Sequence, residues 1–120
     1  MEKKDTKAVI VSKNYTILDT IASFQVNHDR VALIEDNNKI IGLVSQGDIL
    51  KELSRGVEMH SLVENIMKRN FKYLTRRDLT KAYELFKKYK LTMIPVLSDE
   101  NELIDIITLD DIYEYLEAKK

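Results

Sequence analysis

Two hydroxyl–carboxylate pairs are the residues in this sequence whose types and spacing could bind a ligand. Ser45 and Asp48 lie three positions apart in VSQGD, and Thr108 and Asp111 have the same spacing in ITLDD. Each pair follows an apolar run typical of a buried strand and precedes apolar residues at helical spacing. A carboxylate at a strand-to-helix junction can cap the new helix by accepting backbone amides, or it can accept the two hydroxyls of a ribose. The neighbouring hydroxyl could add a contact to ribose or phosphate.

The rest of the composition excludes several kinds of catalytic site. The chain has no cysteine, so it cannot form thiolate metal sites, disulfides or a cysteine nucleophile. Its three glycines are too dispersed for a P-loop or a dinucleotide-binding loop, both of which need clustered glycines. His28 and His60 lie in separate polar stretches, which favours surface histidines over metal ligands. Without a nucleophile–base pair, the sequence predicts a protein that is not itself an enzyme.

Length and charge favour a globular domain that does not bind nucleic acid. Hydrophobic residues make up 44% of the 120 residues and charged residues 32%, and the formal net charge is −1. A chain of this size can bury a real core, whereas a nucleic-acid binder with a broad basic field needs a surplus of cations. No apolar stretch reaches the length of a signal peptide or a membrane span. We therefore expect a cytoplasmic location, with no nucleic-acid partner and no membrane partner.

The sequence contains one structural pattern twice. Residues 31–50 align with residues 94–113 without a gap, which places Asp48 on Asp111. Each copy predicts the order strand, helix, strand, strand, helix. One copy alone is too small to bury its continuous apolar strands, and the other copy can supply the partner surface. The predicted fold class is α+β, with tandem β-α-β-β-α repeats related by a pseudo-two-fold axis.

The two repeats are expected at residues 8–56 and 71–118, with a linker at 57–70 that contains a short helix. Each repeat opens on a predicted strand, AVIVS in the first and FKYLT in the second. Turns in EDNN and SDENE predict that the two central strands of each repeat form a hairpin. The apolar spacing of SLVENIM predicts that the linker packs between the repeats.

Side chains that accept backbone amides are predicted at the starts of several helices. Thr16-x-x-Asp19 has the spacing of a capping box, and Asp78 occupies the matching position of the second copy. In the linker, Ser61-x-x-Glu64 has the same spacing. Each of these caps predicts where a helix begins.

The tandem pattern resembles a CBS domain pair, also called a Bateman module. The resemblance lies in VALIEDNNKIIGLVSQGDIL, in MIPVLSDENELIDIITLDDI and in the segment LVENIMKRNFKYLTRRDLTKAYELF between them, and it covers about residues 8 to 117. GLVSQGDILKELSRG followed by LVENIMKRN also resembles CBS pairs that lie N-terminal to bacterial sugar-phosphate nucleotidyltransferase domains. Single motifs are short, but two in tandem at the correct spacing are specific.

The resemblance implies that each hydroxyl–carboxylate motif contacts the ribose and phosphate of an adenosine nucleotide or of S-adenosylmethionine. The base would lie in an apolar slot between strands, beside an apolar-proline step that the first copy replaces with Val31-Ala32. Pro95 also suits the start of a strand, where no amide donor is needed. Carried onto this sequence, the implied ligand-binding residues are Ser45, Asp48, Thr108, Asp111, Ile94 and Pro95.

The same resemblance predicts that the two sites are unequal. Gly42 matches the family's glycine ahead of the motif, whereas the second copy has Asp105. That carboxylate would repel an anionic ligand if it faces the cleft, so one site is expected to be weak or empty. The cations at strand edges or helix entries that could reach a phosphate are Arg30, Arg76, Arg77 and Lys90.

Two functions follow from the resemblance. In the first, the chain is a regulatory module that senses an adenine nucleotide or related nucleoside (AMP, ADP, ATP or S-adenosylmethionine) and modulates an attached or partner enzyme, with a sugar nucleotidyltransferase as one candidate. In the alternative, it is a dimerisation or interaction module without a ligand, and the aspartates are only helix caps. A homodimer through the ILKEL and IYEYLEA helices is expected in both cases. The adenine nucleotide would be a regulatory ligand, and neither a cofactor nor a metal is otherwise implied.

Overall fold

The computed structural model describes residues 9–27 and 29–119, which form two compact units, the first ending at Phe71 and the second beginning at Lys72. Each unit contains a small β-sheet and two α-helices, so the predicted α+β class is confirmed, and the predicted element order is confirmed except for the opening strand of the second repeat. His28 and the first residue of the predicted AVIVS strand lie outside the described residues, and His60 is exposed as expected. Within the described residues, none of the helices has the length and apolar content needed to cross a membrane.

The first unit is a three-stranded sheet with two helices. β1 pairs in parallel with β2, and β2 pairs antiparallel with β3. A short 3-10 helix at Val63–Asn65 follows in the linker, where the sequence predicts a helical turn. The elements, in chain order, are β1 (Ile10–Ser12), α1 (Ile17–Ser23), β2 (Val31–Asp36), β3 (Lys39–Ser45) and α2 (Gln46–Ser54).

The second unit repeats this order with a shorter opening segment. The predicted FKYLT strand is reduced to a single parallel bridge, in which the Leu74 N–H donates to the Pro95 carbonyl at 3.0 Å. Leu74 is buried while its neighbours Tyr73 and Thr75 are exposed, so the segment offers the sheet only one apolar side chain. The other elements are α3 (Leu79–Lys88), β4 (Met93–Leu97), β5 (Leu103–Thr108) and α4 (Leu109–Ala118), with β4 antiparallel to β5.

The predicted hairpins are present in both units. In the first, Asn37 and Asn38 have φ angles of 51° and 67° and connect β2 directly to β3. Two consecutive positive φ values are the signature of a type I′ turn, whose twist matches that of the paired strands. Asparagine tolerates this left-handed region better than most residues. Asn101, with φ at 65°, lies in the corresponding connection between β4 and β5.

Each unit has its own apolar cluster beneath its helices. Burying each large aliphatic or aromatic side chain of this kind stabilises the fold by roughly 1.5–3 kcal/mol. The cluster of the first unit contains Val11, Ile17, Phe24, Ala32, Ile34, Val44, Ile49, Val63 and Met67. The cluster of the second unit contains Leu74, Ala82, Ile94, Val96, Ile107 and Ile112.

The cap predictions are confirmed in the repeats and wrong in the linker. Thr16 and Asp19 form a complete capping box, and the Asp78 carboxylate accepts the Lys81 N–H at 3.0 Å. The 3-10 helix of the linker instead has Leu62 at its N-cap and no side-chain cap. The Ser61 N–H, which a capping box would engage, instead donates to the Glu58 carbonyl at 3.0 Å. The Ser61 carbonyl and the Val63 N–H are paired with Ile17 and Tyr15.

The end of the linker crosses β3 at Gly42. Leu43 and Lys68 exchange two backbone hydrogen bonds of 3.0 and 2.8 Å, and this pairing lays Met67 over Gly42. A Cβ atom at position 42 would lie 2.3 Å from the Met67 Sδ and 3.1 Å from its Cβ. A side chain at this position is therefore excluded unless Met67 moves.

Gly42→Ala is expected to lower the free energy of unfolding by about 1–3 kcal/mol, because the added methyl overpacks this contact. Urea denaturation measures the change. Gly47→Ala is the matched control: its Cβ would meet only the Ser45 Oγ at 3.8 Å, and alanine favours the helix, so stability should be unchanged or raised. In a Met67→Ala background the cost of Gly42→Ala should fall by roughly 1 kcal/mol. An equal cost in both backgrounds would contradict the Met67 contact.

Candidate functional site

Both hydroxyl–carboxylate pairs lie at the point where a strand passes directly into a helix. Ser45 is the last residue of β3 and the N-cap of α2, and Thr108 has the same two roles for β5 and α4. Their φ angles, −104° and −106°, are nearly identical. The aspartate three positions later is the N3 residue of the helix in each case. The duplicated spacing of the sequence is thus a duplicated local geometry.

At the first junction, the Asp48 carboxylate is held from two sides. Its Oδ2 accepts the Ser45 backbone N–H at 3.1 Å, and the Ser45 hydroxyl accepts the Asp48 N–H at 3.2 Å, which completes a capping box. The other oxygen, Oδ1, lies 3.2 Å from the Lys68 Nζ. The Asp48 side chain is 19% exposed and that of Lys68 65%, so the ion pair is open to solvent.

At the second junction, the Asp111 carboxylate has an analogous arrangement. Its Oδ2 accepts the Thr108 backbone N–H at 2.8 Å and the Thr108 hydroxyl at 3.2 Å. Its Oδ1 lies 3.3 Å from the Arg77 Nη2. The Nη1 of the same guanidinium donates to the Asp105 Oδ2 at 2.9 Å and to the Ile106 carbonyl at 3.2 Å. One arginine therefore joins two carboxylates beside the motif.

The charge of Asp48 is stabilised by its contacts. Partial burial raises the pKa of the Asp48 carboxyl, but the hydrogen bonds from the Ser45 backbone and hydroxyl and the contact with Lys68 together outweigh it. The pKa of Asp48 is therefore lower than its ordinary value of 3.8. The carboxyl is ionised at neutral pH and is an acceptor only, which is the form that could accept ribose hydroxyls.

The remaining predicted site residues are dispersed. Ile94 and Pro95 are buried in β4, where they pair with Ile107 and Ile106 of β5. Consecutive strand residues point to opposite faces, so Ile94 lies in the apolar cluster of the second unit and Pro95 points to the other face of the hairpin. Their proximity to the second motif comes from the hairpin, since Met93 pairs with Thr108.

The predicted phosphate-binding cations have different positions. Arg30 lies at the start of α2, where its guanidinium donates to the Gln46 Oε1 at 3.3 Å and its carbonyl accepts the Gln46 N–H at 3.0 Å. Arg76 and Lys90 are exposed, and among the described residues neither contacts a motif carboxylate. Arg77 does make such a contact. The structure therefore brings Arg77 and Arg30 to the two junctions and leaves Arg76 and Lys90 on the surface.

Sequence reasoning does not identify Lys68 as a partner of Asp48. Lys68 lies in a mixed-charge stretch of the linker, and only the pairing of the linker with β3 brings it to the motif. The expected repulsion from Asp105 is reduced in part, because that carboxylate forms an ion pair with Arg77, which it shares with Asp111. Gly42 is needed in the first copy because Met67 covers it and leaves no room for a side chain. This packing explains the glycine without any contact to a ligand.

Comparison with known proteins identifies the family. The model of the CBS domain family matches residues 4–55 and residues 63–118, one match for each repeat. The chain belongs to the CBS domain family. It contains two CBS repeats in tandem and is therefore a CBS domain pair, as the sequence pattern predicts.

Solved structures share the fold over nearly the whole CBS pair. Protein MJ1225 from Methanocaldococcus jannaschii superposes with a TM-score of 0.83 at 24% identity, over 98% of this chain and 49% of that one. The CBS domain pair of protein MJ0100, in complex with 5′-methylthioadenosine and S-adenosyl-L-methionine, gives 0.75 at 24% identity, over 93% and 90%. The cytosolic domain of the Mg²⁺ channel MgtE in complex with ATP gives 0.74 at 21% identity, over 89% and 44%. At these identities the likeness establishes the fold.

Curated relatives of the CBS pair are longer proteins. Protein MJ0188 of Methanocaldococcus jannaschii is 32% identical over 110 residues, which are 88% of this chain and 39% of the relative. The chain spans 26% of a Helicobacter pylori protein at 27% identity and 66% of an Acidianus ambivalens protein at 24% identity. The CBS pair thus occurs as one part of larger chains among these relatives.

Asp48→Asn is expected to lower the free energy of unfolding by about 1 kcal/mol at pH 7, because it removes a charge at a helix N-terminus and an exposed ion pair. The folded-state pKa of Asp48 is lower than the unfolded one, so this stabilisation is present above about pH 4 and is lost as the pH falls through the folded-state value. Urea denaturation at neutral pH and below about pH 3 should therefore give a gap between wild type and variant that closes in acid. A gap independent of pH would contradict a charge effect.

Proposed function

We propose that this CBS domain pair is a regulatory module that binds an adenine nucleotide or a related nucleoside at its two hydroxyl–carboxylate motifs. The single observation that carries the proposal is the arrangement at Asp48 and Asp111: each is fixed at a strand-to-helix junction, with a cation at its outer oxygen. Such a carboxylate is an acceptor of fixed orientation, which is what recognition of a ribose requires. The repeats at residues 8–56 and 71–118 and the linker at 57–70 are the parts of this proposed module.

Helix capping does not exhaust the capacity of these carboxylates. An ionised carboxylate has about four lone-pair sites on its two oxygens. At Asp48, the Ser45 N–H uses one oxygen and Lys68 uses the other, each as a single contact. Acceptor positions therefore remain for the vicinal hydroxyls of a ribose. Because the cap already fixes the carboxylate, little side-chain conformational entropy would be lost when a ligand binds to it.

The ligands of two similar structures support the adenosine class. The complexes of MJ0100 contain 5′-methylthioadenosine and S-adenosyl-L-methionine, and that of MgtE contains ATP. These three molecules share adenine and a ribose with free 2′ and 3′ hydroxyls. We extend this class, and no particular member of it, to the motifs of this chain, with Ile94 and Pro95 as the apolar contacts of the base and Arg30, Arg76 and Lys90 as candidate phosphate contacts.

Regulation would follow from differential affinity. A ligand that binds two conformations of the module unequally shifts their populations, typically by 1–3 kcal/mol, and an attached or partner enzyme reads that shift. A sugar nucleotidyltransferase is one candidate for that enzyme, and the cytoplasm is the compartment in which such ligands are abundant. The proposed module contributes binding energy only, with no catalytic group of its own.

Calorimetric titration and thermal unfolding with AMP, ADP, ATP, adenosine, S-adenosylmethionine and GMP test the proposal. A ligand at 100-fold over its dissociation constant should raise the free energy of unfolding by about 2.7 kcal/mol, and GMP should not. The double variant Asp48→Asn, Asp111→Asn should lose this response. A response that is flat across the panel would refute the proposal.

The matched control for this experiment is Asp19→Asn. Asp19 is the N3 residue of a third capping box, in which its carboxylate accepts the Thr16 N–H at 3.0 Å, but it lies at the start of α1 and not at the end of a hairpin strand. The substitution makes the same chemical change at the same type of cap. If Asp19→Asn abolished binding as completely as the double variant, the motif carboxylates would act only through stability.

A second candidate function, dimerisation without a ligand, is favoured by a groove in the first unit whose lining is partly apolar and partly polar. The groove has a volume of about 530 Å³ between α1 and α2, and Leu50 on its rim is 60% exposed. Covering an apolar side chain of this exposure stabilises an interface. We propose a second copy of the chain as the occupant, because an isologous contact needs only one such surface. The lining residues are Ile21, Phe24, Gln25, Arg30, Gln46, Ile49 and Leu50.

Leu50→Glu should convert the dimer to a monomer in sedimentation velocity, since the dimer would have to bury an unpaired charge. Met59→Glu is the control, because Met59 is also exposed, at 39%, and does not line the groove. An unchanged sedimentation coefficient in Leu50→Glu would exclude this surface as the dimer contact.

A further inference from the structure

The two motifs have equivalent geometry but different surrounding charge. In the first repeat, the positions six and one residue before the motif aspartate are Gly42 and Gly47. The aligned positions of the second repeat are Asp105 and Asp110. Both differences add a carboxylate near Asp111, one in the middle of β5 and one in the first turn of α4.

The cations do not balance this difference. Around the first motif, the carboxylate of Asp48 is matched by the ammonium of Lys68 at 3.2 Å. Around the second, two carboxylates share the guanidinium of Arg77, which contacts Asp111 at 3.3 Å and Asp105 at 2.9 Å, and a third carboxylate, Asp110, is exposed in the first turn of α4. Each motif also lies at a helix N-terminus, whose partial positive charge is the same for both and cancels in the comparison.

We propose that the two motifs select nucleosides by charge: the Ser45/Asp48 site accepts phosphate-bearing nucleotides, and the Thr108/Asp111 site favours nucleosides without a phosphate. This inference rests on the proposed function and specifies the ligand class of each site. At the second site, a phosphate meets a surplus of carboxylates, and the Arg77 guanidinium that contacts Asp111 is already engaged by Asp105. At the first site, Lys68 is largely exposed and can turn from Asp48 to a phosphate.

Packing explains only one of the two glycines. Gly42 is required because Met67 covers it, so an aspartate is sterically excluded there. Gly47 has no such constraint, since a Cβ would lie 3.8 Å from its nearest neighbour, the Ser45 Oγ. An acidic residue in the first turn of a helix is favourable, so Asp would stabilise α2 at position 47. With Gly47 in place of an aspartate, the first motif has one carboxylate fewer beside it, and α2 is less stable than it would be with aspartate.

The experiment measures AMP and adenosine affinities by calorimetry at one site at a time. Asp48→Asn leaves only the second site, and Asp111→Asn leaves only the first. In the Asp48→Asn protein, the added pair Asp105→Asn and Asp110→Asn should strengthen AMP binding roughly tenfold and leave adenosine unchanged. In the Asp111→Asn protein, Gly47→Asp should weaken AMP binding about threefold, again without an effect on adenosine.

Two controls separate charge at the motif from other causes. Asp99→Asn makes the same change in the exposed connection between β4 and β5, at the opposite end of the hairpin from Thr108, and should leave both affinities unchanged. The effects on AMP should also shrink between ionic strengths of about 10 mM and about 1 M, because the screening length falls from about 30 Å to about 3 Å. A steric effect would not respond to salt.

The outcomes distinguish this inference from the function on which it rests. If both sites bind adenosine and AMP with the same ratio, and the charge substitutions do not alter that ratio, selection by charge is refuted while nucleoside binding stands. If wild-type protein binds neither compound, the proposed function and the inference both fail. A change in the AMP to adenosine ratio in the predicted directions, and only with substitutions beside the motifs, supports the inference.

Discussion

The hydrogen bond from the backbone amide of the last strand residue to the aspartate three positions later is the interaction on which both repeats depend. It joins β3 to α2 through Ser45 and Asp48, and β5 to α4 through Thr108 and Asp111. A strand that passes into a helix without a loop leaves several amides without partners, and this carboxylate satisfies one of them. The same bond fixes the side-chain rotamer. Structural capping and ligand recognition are therefore compatible, because the first provides the rigid acceptor that the second requires.

Local patterns in the sequence predict most of this fold. Hydrophobic periodicity predicts the strands and helices, and Asn37 and Asn38 predict the tight turn of the first hairpin through their tolerance of positive φ. The capping boxes are equally local, since the groups that form them lie three residues apart. Each of these features depends on residues close in sequence, so a single sequence contains the information.

The features that sequence reasoning misses all depend on pairing between distant segments. Ser61 and Glu64 have the spacing of a capping box, but the pairing of residues 61–63 with the start of α1 uses the backbone first. Lys68 reaches Asp48 only because the linker pairs with β3. The spacing of residues cannot reveal such contacts, and they determine the electrostatics of the candidate site. The position of a carboxylate was thus predictable, and the identity of its counter-ion was not.

The linker connects the chemistry of the first motif to the junction between the repeats. The Lys68 side chain forms an ion pair with Asp48, and the Lys68 backbone exchanges hydrogen bonds with Leu43 of β3. The same residue is therefore the counter-ion of the motif carboxylate and a neighbour of the sheet. Under the proposed function, a ligand that displaced Lys68 from Asp48 would alter a contact of the segment that leads into the second repeat. Chains of packed and hydrogen-bonded contacts of this kind can carry coupling between a binding site and other parts of a protein. At the second motif, Arg77 has the corresponding position, because it precedes α3 by two residues and contacts Asp105 and Asp111 together. In each repeat the counter-ion of the motif comes from a connecting segment, so a ligand of the proposed kind would act where the chain links one element to the next.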